Sequence, residues 1–161
     1  MKKFVIPIII LVMLNVGSES KPENINQTKE IKIMEKQEKQ QIERLLSEYK
    51  NSLNTSDAAL AQSLYATDGV FMPAGAPSAI GTESIRKSYE FIFSQIQLNI
   101  EFYIDEIVVD GNFAFATTSS KGTTLIHANG QIVPEENREL FVFEKIDGAW
   151  KIARYMFNKT K

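Results

Sequence analysis

The residues best suited to chemistry lie in one late stretch, residues 138–158, where a carboxylate and a guanidinium stand among apolar side chains. Asp147-Gly148 predicts a two-residue hairpin turn, because such a turn needs positive φ at both central residues. A regular register from that turn places Glu139 and Arg154 diagonally on one face, within reach of each other. The pair is suited to holding an anionic or carbonyl group. The alternative is a structural ion pair that satisfies two half-buried charges.

Both faces of this predicted hairpin are apolar over most of their length, because side chains alternate between the faces of a strand. The face of Glu139 and Arg154 also carries Phe141, Phe143, Trp150, Ile152 and Met156. The opposite face carries Leu140, Val142, Ala153, Tyr155 and Phe157. We expect the first face to line a pocket. We expect the second to meet another copy of the chain in a homodimer, because an exposed apolar patch of that size is a liability on a monomer.

The elements that must position this hairpin are three helices and a run of strands. From Glu35 onward, apolar residues recur at helical spacing, which predicts a first helix with one buried stripe. That stripe consists of Ile42, Leu45, Leu46, Tyr49 and Leu53. Ser56 or Asp57 is suited to capping a short second helix, and Thr82 to capping a third. From residue 99 the pattern changes to strands with turn signals between them, so we predict an α+β fold in residues 35–161, with a strongly bent antiparallel sheet wrapped over three N-terminal helices.

The first residues predict export. Lys2 and Lys3 precede an apolar run that ends in small residues, so residues 1–18 have the pattern of a secretory signal peptide, with cleavage near Ser18. The run is too short to span a bilayer comfortably, so we expect no stable membrane anchor and a periplasmic or extracellular location. Residues 19–34 are polar and predict a flexible linker.

Composition restricts the remaining classes of function. The net charge is −2 and no basic block is present, which argues against a nucleic-acid partner. The chain has no cysteine and one histidine, so the usual ligands of a transition-metal site are missing. No phosphate-binding glycine motif is present either, and we expect neither metal nor cofactor.

Residues 65–93, 108–116 and 138–158 together resemble the nuclear transport factor 2-like superfamily, in its SnoaL-like and ketosteroid-isomerase-like branch. The resemblance extends over roughly residues 42–158. It implies a cone of bent sheet over helices, the cystatin-like roll, with a pocket at the open end. It does not imply one activity, because this shape is shared by isomerases, cyclases, dehydratases, binding domains and assembly domains.

The resemblance also implies roles for three positions. The isomerases hold an oxyanion with a tyrosine of the first helix and an acid of a late strand, which are matched by Tyr49 and Glu139. Their carboxylate base lies near the first strand, and that position is matched by Met72, whose thioether cannot abstract a proton. Tyr49 could therefore donate a hydrogen bond into the pocket or be a core tyrosine.

A further set of residues is expected either to line the pocket or to form ordinary core. The set is Tyr65, Phe71, Met72, Tyr89, Phe93, Phe115, Thr117, Phe141, Arg154, Met156 and Asn158. We consider three functions: binding of a small, mostly apolar ligand, isomerase-like or dehydratase-type catalysis on a small carbonyl substrate, and homodimeric assembly.

Overall fold

The structure, a computed structural model, describes residues 25–160, with side chains from residue 27 onward. Its elements are α1 (Ile25–Asn54), α2 (Ala58–Ser63), β1 (Tyr65–Met72), β2 (Ala79–Ile80), α3 (Gly81–Gln95), β3 (Ile96–Asp110), β4 (Phe113–Ile126), β5 (Ile132–Ile146) and β6 (Ala149–Lys159). Helices that precede a run of long strands confirm the predicted α+β class. The expected signal peptide, residues 1–18, and residues 19–24 of the expected linker lie outside the described residues.

Helix α1 begins ten residues before the predicted start at Glu35. Residues 27–37 are exposed, so tertiary packing does not hold this first part of the helix. Its Lys, Glu and Gln residues are good helix formers, and their propensity continues the helix into the segment we expected to be a linker. Within the described residues, no helix is both long and apolar enough to cross a membrane.

The sheet has the strand order β2-β1-β6-β5-β4-β3. Neighbouring strands are antiparallel except β1 and β6, which run parallel. The helices pack on one side of this sheet, here called the inner face. All five residues of the predicted α1 stripe, Ile42, Leu45, Leu46, Tyr49 and Leu53, are buried in the core. The short helix α2 is capped as predicted, because Asp57 Oδ1 accepts from Leu60 N at 2.8 Å.

The β5–β6 hairpin closes with the predicted two-residue turn. Asp147 and Gly148 have φ of 49° and 81°, and Ile146 pairs with Ala149 on either side of them. The regular register continues only a short way from the turn.

A β-bulge in β6 then shifts the pairing by one residue. Phe143 pairs with Ile152, but the next pair is Val142 with Arg154, so Ala153 is an extra residue. Because strand side chains alternate between faces, one extra residue turns every later side chain to the opposite face. The register predicted beyond the bulge is therefore wrong.

Strand β1 has an irregularity beside the bulge. It pairs with β6 at Tyr65–Ile152 and again at Val70–Arg154, so it uses five residues where β6 uses two. Gly69 lies in this excursion, where a Cβ atom would be only 3.1 Å from the Ile152 carbonyl oxygen. The missing side chain thus permits the close approach of the two strands.

Candidate functional site

Glu139 lies on the inner face of β5 and is 6% exposed. The Thr118 hydroxyl donates a hydrogen bond to its Oε2 atom. Burial raises the pKa of Glu139, hydrogen bonds from Thr118 and Ser120 act in the opposite direction, and the charge of Asp105 raises it further. Among the described residues, no lysine or arginine forms an ion pair with Glu139. The site therefore holds a buried carboxyl group without a cation.

Three tyrosine hydroxyls form a hydrogen-bonded chain deep in the core. Tyr89 is central, with its hydroxyl 2.5 Å from that of Tyr49 and 2.8 Å from that of Tyr65. Burial raises the pKa of all three well above its usual value. The hydroxyls therefore keep their protons at neutral pH and act as donors.

Tyr155 connects this chain to the carboxyl group. Its ring packs edge-on against Tyr49, with centroids 5.3 Å apart, and stacks on Phe141 at 4.2 Å. Burial raises the pKa of Tyr155, and the charge of Glu139 raises it further. The acid and the tyrosines thus belong to one polar group inside an aromatic core.

The structure separates the predicted site residues into two sets. Those on the inner face are buried: Tyr49, Tyr65, Phe71, Tyr89, Phe93, Glu139 and Phe141. Those on the outer face are Met72, Phe115, Thr117, Arg154, Met156 and Asn158. The second set therefore does not share the inner face with Glu139.

Arg154 is the clearest correction. It is exposed, and its Nη1 atom donates to the carbonyl oxygens of Asp68 at 3.3 Å and Ala153 at 2.6 Å. Because the bulge places it on the opposite face from Glu139, neither the predicted clamp nor the alternative ion pair forms. Asn158, farther along the same face, accepts from Arg138 Nε at 3.0 Å.

The error in β4 has a different cause. Phe115 belongs to the set expected to line the pocket or form core, but the inner positions of β4 are the small residues Ala114 and Ala116. These pair with Phe143 and Phe141 of β5, whose rings fill the space above them. Large and small residues thus alternate between neighbouring strands.

The surface predicted to meet a second copy also changes. Tyr155 is 4% exposed and packs inside with Phe157, and Ala153 is buried at the bulge. Only Leu140 and Val142 of the predicted set face outward. Their neighbours on the outer face are Val108, Phe115 and Met156.

Sequence reasoning missed a group of polar residues beyond Glu139, which we call the polar ledge: Ser120, Thr124, Glu135 and Asn137, all buried. Glu135 Oε2 accepts from Thr124 Oγ1 at 2.9 Å and from Lys159 Nζ at 3.1 Å. Asn137 Nδ2 donates to Glu135 Oε1 at 3.1 Å. The signal was present, since Glu135, Asn137 and Glu139 alternate with the period of a strand.

A hollow of about 200 Å³ lies between α1 and β3. It is lined by Glu43, Leu46, Ser47, Lys50, Phe102 and Ile104. Phe102 stacks on Tyr49, with centroids 6.0 Å apart. The cross-strand neighbours of Phe102 and Ile104 are Ser120 and Thr118, which bond to the ledge and to Glu139. The hollow therefore borders the site from the side of β3.

The site carries no obvious ligand set for a metal. In the described part of the chain, no three or more His, Cys, Asp or Glu side chains lie together in a way that could hold an ion.

The family model described as a SnoaL-like domain matches residues 42–157, which contain the tyrosine chain, the hollow, Glu139 and the polar ledge. The chain belongs to this family. This SnoaL-like domain has 30% sequence identity and a TM-score of 0.72 to a ketosteroid isomerase-like protein from Erwinia carotovora atroseptica, covering 74% of this chain and 94% of that one.

Two further solved structures share the fold at lower identity. A nuclear transport factor 2-like superfamily protein from Salmonella enterica has 23% identity and a TM-score of 0.68, over 76% of this chain and 91% of that one. A protein from Novosphingobium aromaticivorans with a cystatin-like fold has 15% identity and a TM-score of 0.64, over 87% and 92%. The family match and the ketosteroid isomerase-like structure together confirm the predicted superfamily. No curated protein matches the chain.

Proposed function

We propose that this domain binds a small, mostly apolar molecule on the inner side of the sheet, oriented by Glu139 and the tyrosine chain. The observation that carries the proposal is the burial of Glu139 without a cation. An ionised carboxylate in such surroundings costs several kcal/mol unless it is paired. A buried group kept at that cost is a candidate functional group.

The surroundings of Glu139 suit an apolar ligand. Phe102, Phe141 and Tyr155 place aromatic rings around Tyr49, and the charge of Glu139 acts on Tyr155. Ligand sites of this kind combine apolar walls with a few polar groups that fix orientation. The hollow beside Phe102 is of the size that holds a benzene-like ring, for which a cavity of about 150 Å³ is enough.

The hollow gives a direct test. Butylbenzene, titrated into the ¹⁵N-labelled protein, should shift the amide signals of Phe102, Ile104 and Thr118. Ile104→Trp should fill the hollow and weaken binding at least tenfold. Val108→Trp is the matched control, because Ile104 and Val108 are 40% and 41% exposed on the same strand but face opposite sides. Equal effects of the two variants, or no shifts near the hollow, would remove the proposal.

Catalysis on a carbonyl substrate is the second candidate. The tyrosine hydroxyls are donors of the type that stabilise negative charge on an oxygen, and burial raises the pKa of Glu139. Met72, at the position of the base, is a thioether on the outer face. We therefore expect no isomerisation of 3-cyclohexenone above background. Isomerisation that disappears in Glu139→Leu but persists in Arg154→Leu would favour the enzyme.

We also propose that the outer face packs against a second copy of the chain. Phe115, Leu140 and Met156 are 36%, 37% and 45% exposed, and Val142 lies between them. A patch on one sheet face can pair with itself around a two-fold axis. Sedimentation should show a dimer that Leu140→Lys dissociates, whereas Ile132→Lys, at an exposed position outside the patch, should not. A monomeric native protein at micromolar concentration would contradict this.

Export is the remaining proposal. It rests on the sequence of residues 1–18, which has the order of charge, apolar run and small residues that signal peptidases recognise. Intact-mass measurement of protein recovered from outside the cytoplasm should give a chain that starts near Glu19. A full-length chain retained with the cells would contradict it.

A further inference from the structure

One atom of the polar ledge lacks a partner. Among the residues whose side chains the structure describes, Asn137 Oδ1 is a buried oxygen with no hydrogen bond. Asn137 is 6% exposed, and its Nδ2 atom already donates to Glu135 Oε1 at 3.1 Å and Ser120 Oγ at 3.3 Å. These two bonds fix the orientation of the amide. A buried acceptor left unsatisfied reduces stability, and a donor from a ligand would recover that loss.

The groups around Asn137 Oδ1 are mostly acceptors. Glu135 lies on one side of Asn137 along β5 and Glu139 on the other, all on the inner face. The positive charge among them is Lys159, which forms an ion pair with Glu135 from an exposed position on β6. Acceptors of this kind are matched by N–H and O–H groups and disfavour carboxylates and phosphates.

Lys159 shows that the ledge accommodates an ammonium group. Its Nζ atom lies 3.1 Å from Glu135 Oε2, and Lys159 is the cross-strand neighbour of Asn137. A buried carboxylate that already accepts from an ammonium and the Thr124 hydroxyl offers the geometry for donors of both kinds.

The ledge lies two strands away from the hollow. Phe102, Ser120 and Asn137 are consecutive cross-strand neighbours on β3, β4 and β5. Neighbouring strands are about 4.8 Å apart, so the ring of Phe102 and the Asn137 amide are separated by roughly two such steps. A short chain on a ring that occupies the hollow has the length to span these two strand spacings.

We propose that the polar ledge binds the hydrogen-bond-donating end, an ammonium or a hydroxyl group, of the molecule whose apolar part occupies the hollow. Asn137 Oδ1 accepts from that group, and Glu135 and Glu139 flank it. The inference rests on the proposed binding function and adds the chemical class of the ligand.

Three probes that carry the same four-carbon chain on a phenyl ring test it: butylbenzene, 4-phenylbutan-1-ol and 4-phenylbutylamine. We expect the alcohol, the amine or both to bind the wild-type protein at least tenfold more tightly than butylbenzene. Preference for the amine alone identifies an ammonium ligand, and preference for both identifies any donor. The Asn137 side-chain amide signal should shift with the favoured probes and remain in place with butylbenzene.

Asn137→Leu should reduce the preference to less than threefold while butylbenzene still binds. Asn158→Leu, which changes the same residue type on the outer face, should leave the preference unchanged. Equal binding of all three probes, or a preference that survives Asn137→Leu, overturns the inference and leaves the proposed function standing. Failure of every probe to shift signals near the hollow overturns both. If Asn137→Leu does not fold, the shift of the Asn137 side-chain amide signal in the wild-type protein decides the question.

Discussion

Two carboxylates lie near opposite ends of the β5–β6 hairpin, and they differ in their hydrogen-bond partners and in the direction of their pKa shifts. Glu38 of α1, near the turn, accepts from Lys145 Nζ at 2.7 Å and from Trp150 Nε1 at 2.7 Å. The hydrogen bond from Lys145 lowers the pKa of Glu38, and the bond from Trp150 acts in the same direction. Glu139, toward the other end, accepts from hydroxyl groups, and burial raises its pKa.

The difference separates a structural carboxylate from one available for function. Glu38 ties α1 to the hairpin through a cation and an indole, and both of its oxygens are bonded. Glu139 is held in place by Thr118, and no helix or strand is fastened through a charge on it. A paired carboxylate stabilises the fold, whereas an unpaired buried one reduces stability and is retained where it has another role.

The largest change in stability is expected at Glu38, near the turn. Glu38→Gln should lower the free energy of unfolding by about 1–2 kcal/mol, because a charged hydrogen bond to Lys145 at a partly exposed position is lost. Lys145→Met should cost a similar amount, and the double variant should cost clearly less than the sum. Urea unfolding of the four proteins measures this coupling. Additive losses would show that Glu38 does not act through Lys145.

At Glu139, the same change from glutamate to glutamine should have the opposite effect on stability. Glu139→Gln should raise the free energy of unfolding by about 1 kcal/mol at pH 7, because a neutral amide replaces a carboxyl that is costly to ionise. The Gln carbonyl oxygen can still accept from Thr118. Urea unfolding under the same conditions measures the change, and a loss of stability would mean that the ionised group has a partner.

The pH dependence of the two substitutions should also differ. The pKa of Glu139 is raised above 4.5, so its cost is present above the folded-state pKa and disappears as the pH falls through that value toward 4.5. The pKa of Glu38 is lowered, so its contribution is present above 4.5 and is lost only as the pH falls below it. On acidification from pH 7, the gain from Glu139→Gln should therefore shrink first. Thermal midpoints measured at half-unit pH steps test the order.

The smallest effect is expected between Glu139 and Arg154. Their coupling energy, from the Glu139→Gln and Arg154→Met cycle, should be within about 0.3 kcal/mol of zero, the limit usual for independent sites. The reason is that the two side chains project from opposite faces of the sheet. A coupling energy as large as that between Glu38 and Lys145 would instead support the regular register, which places Glu139 and Arg154 on one face.

The fold could be predicted because its signals are local. The turn at Asp147-Gly148, the stripe of α1 and the change from helical to strand period all depend on residues close in sequence. The inner positions of Tyr49 and Glu139 followed from the same patterns and the family resemblance.

The bulge could not be predicted from the sequence pattern, because the residues on both faces of β6 are mostly apolar. Residues 154–157 place either Arg154 and Met156 or Tyr155 and Phe157 inside, and neither choice breaks the alternation. One signal was available: the second choice buries two aromatic rings, while the first buries a guanidinium. The position of the extra residue depends on contacts with β1, which lies far away in the sequence.

The bulge at Ala153 also bears on how such a domain can acquire a new ligand. If Ala153 were instead paired regularly with Val142, Arg154 and Met156 would turn toward the interior, with Tyr155 and Phe157 outside. The inner face of β6 would then change from aromatic to cationic without a single substitution. A shift of one residue in the pairing of β5 and β6 is therefore a short route between an apolar surface and an anion-binding one on the same sheet.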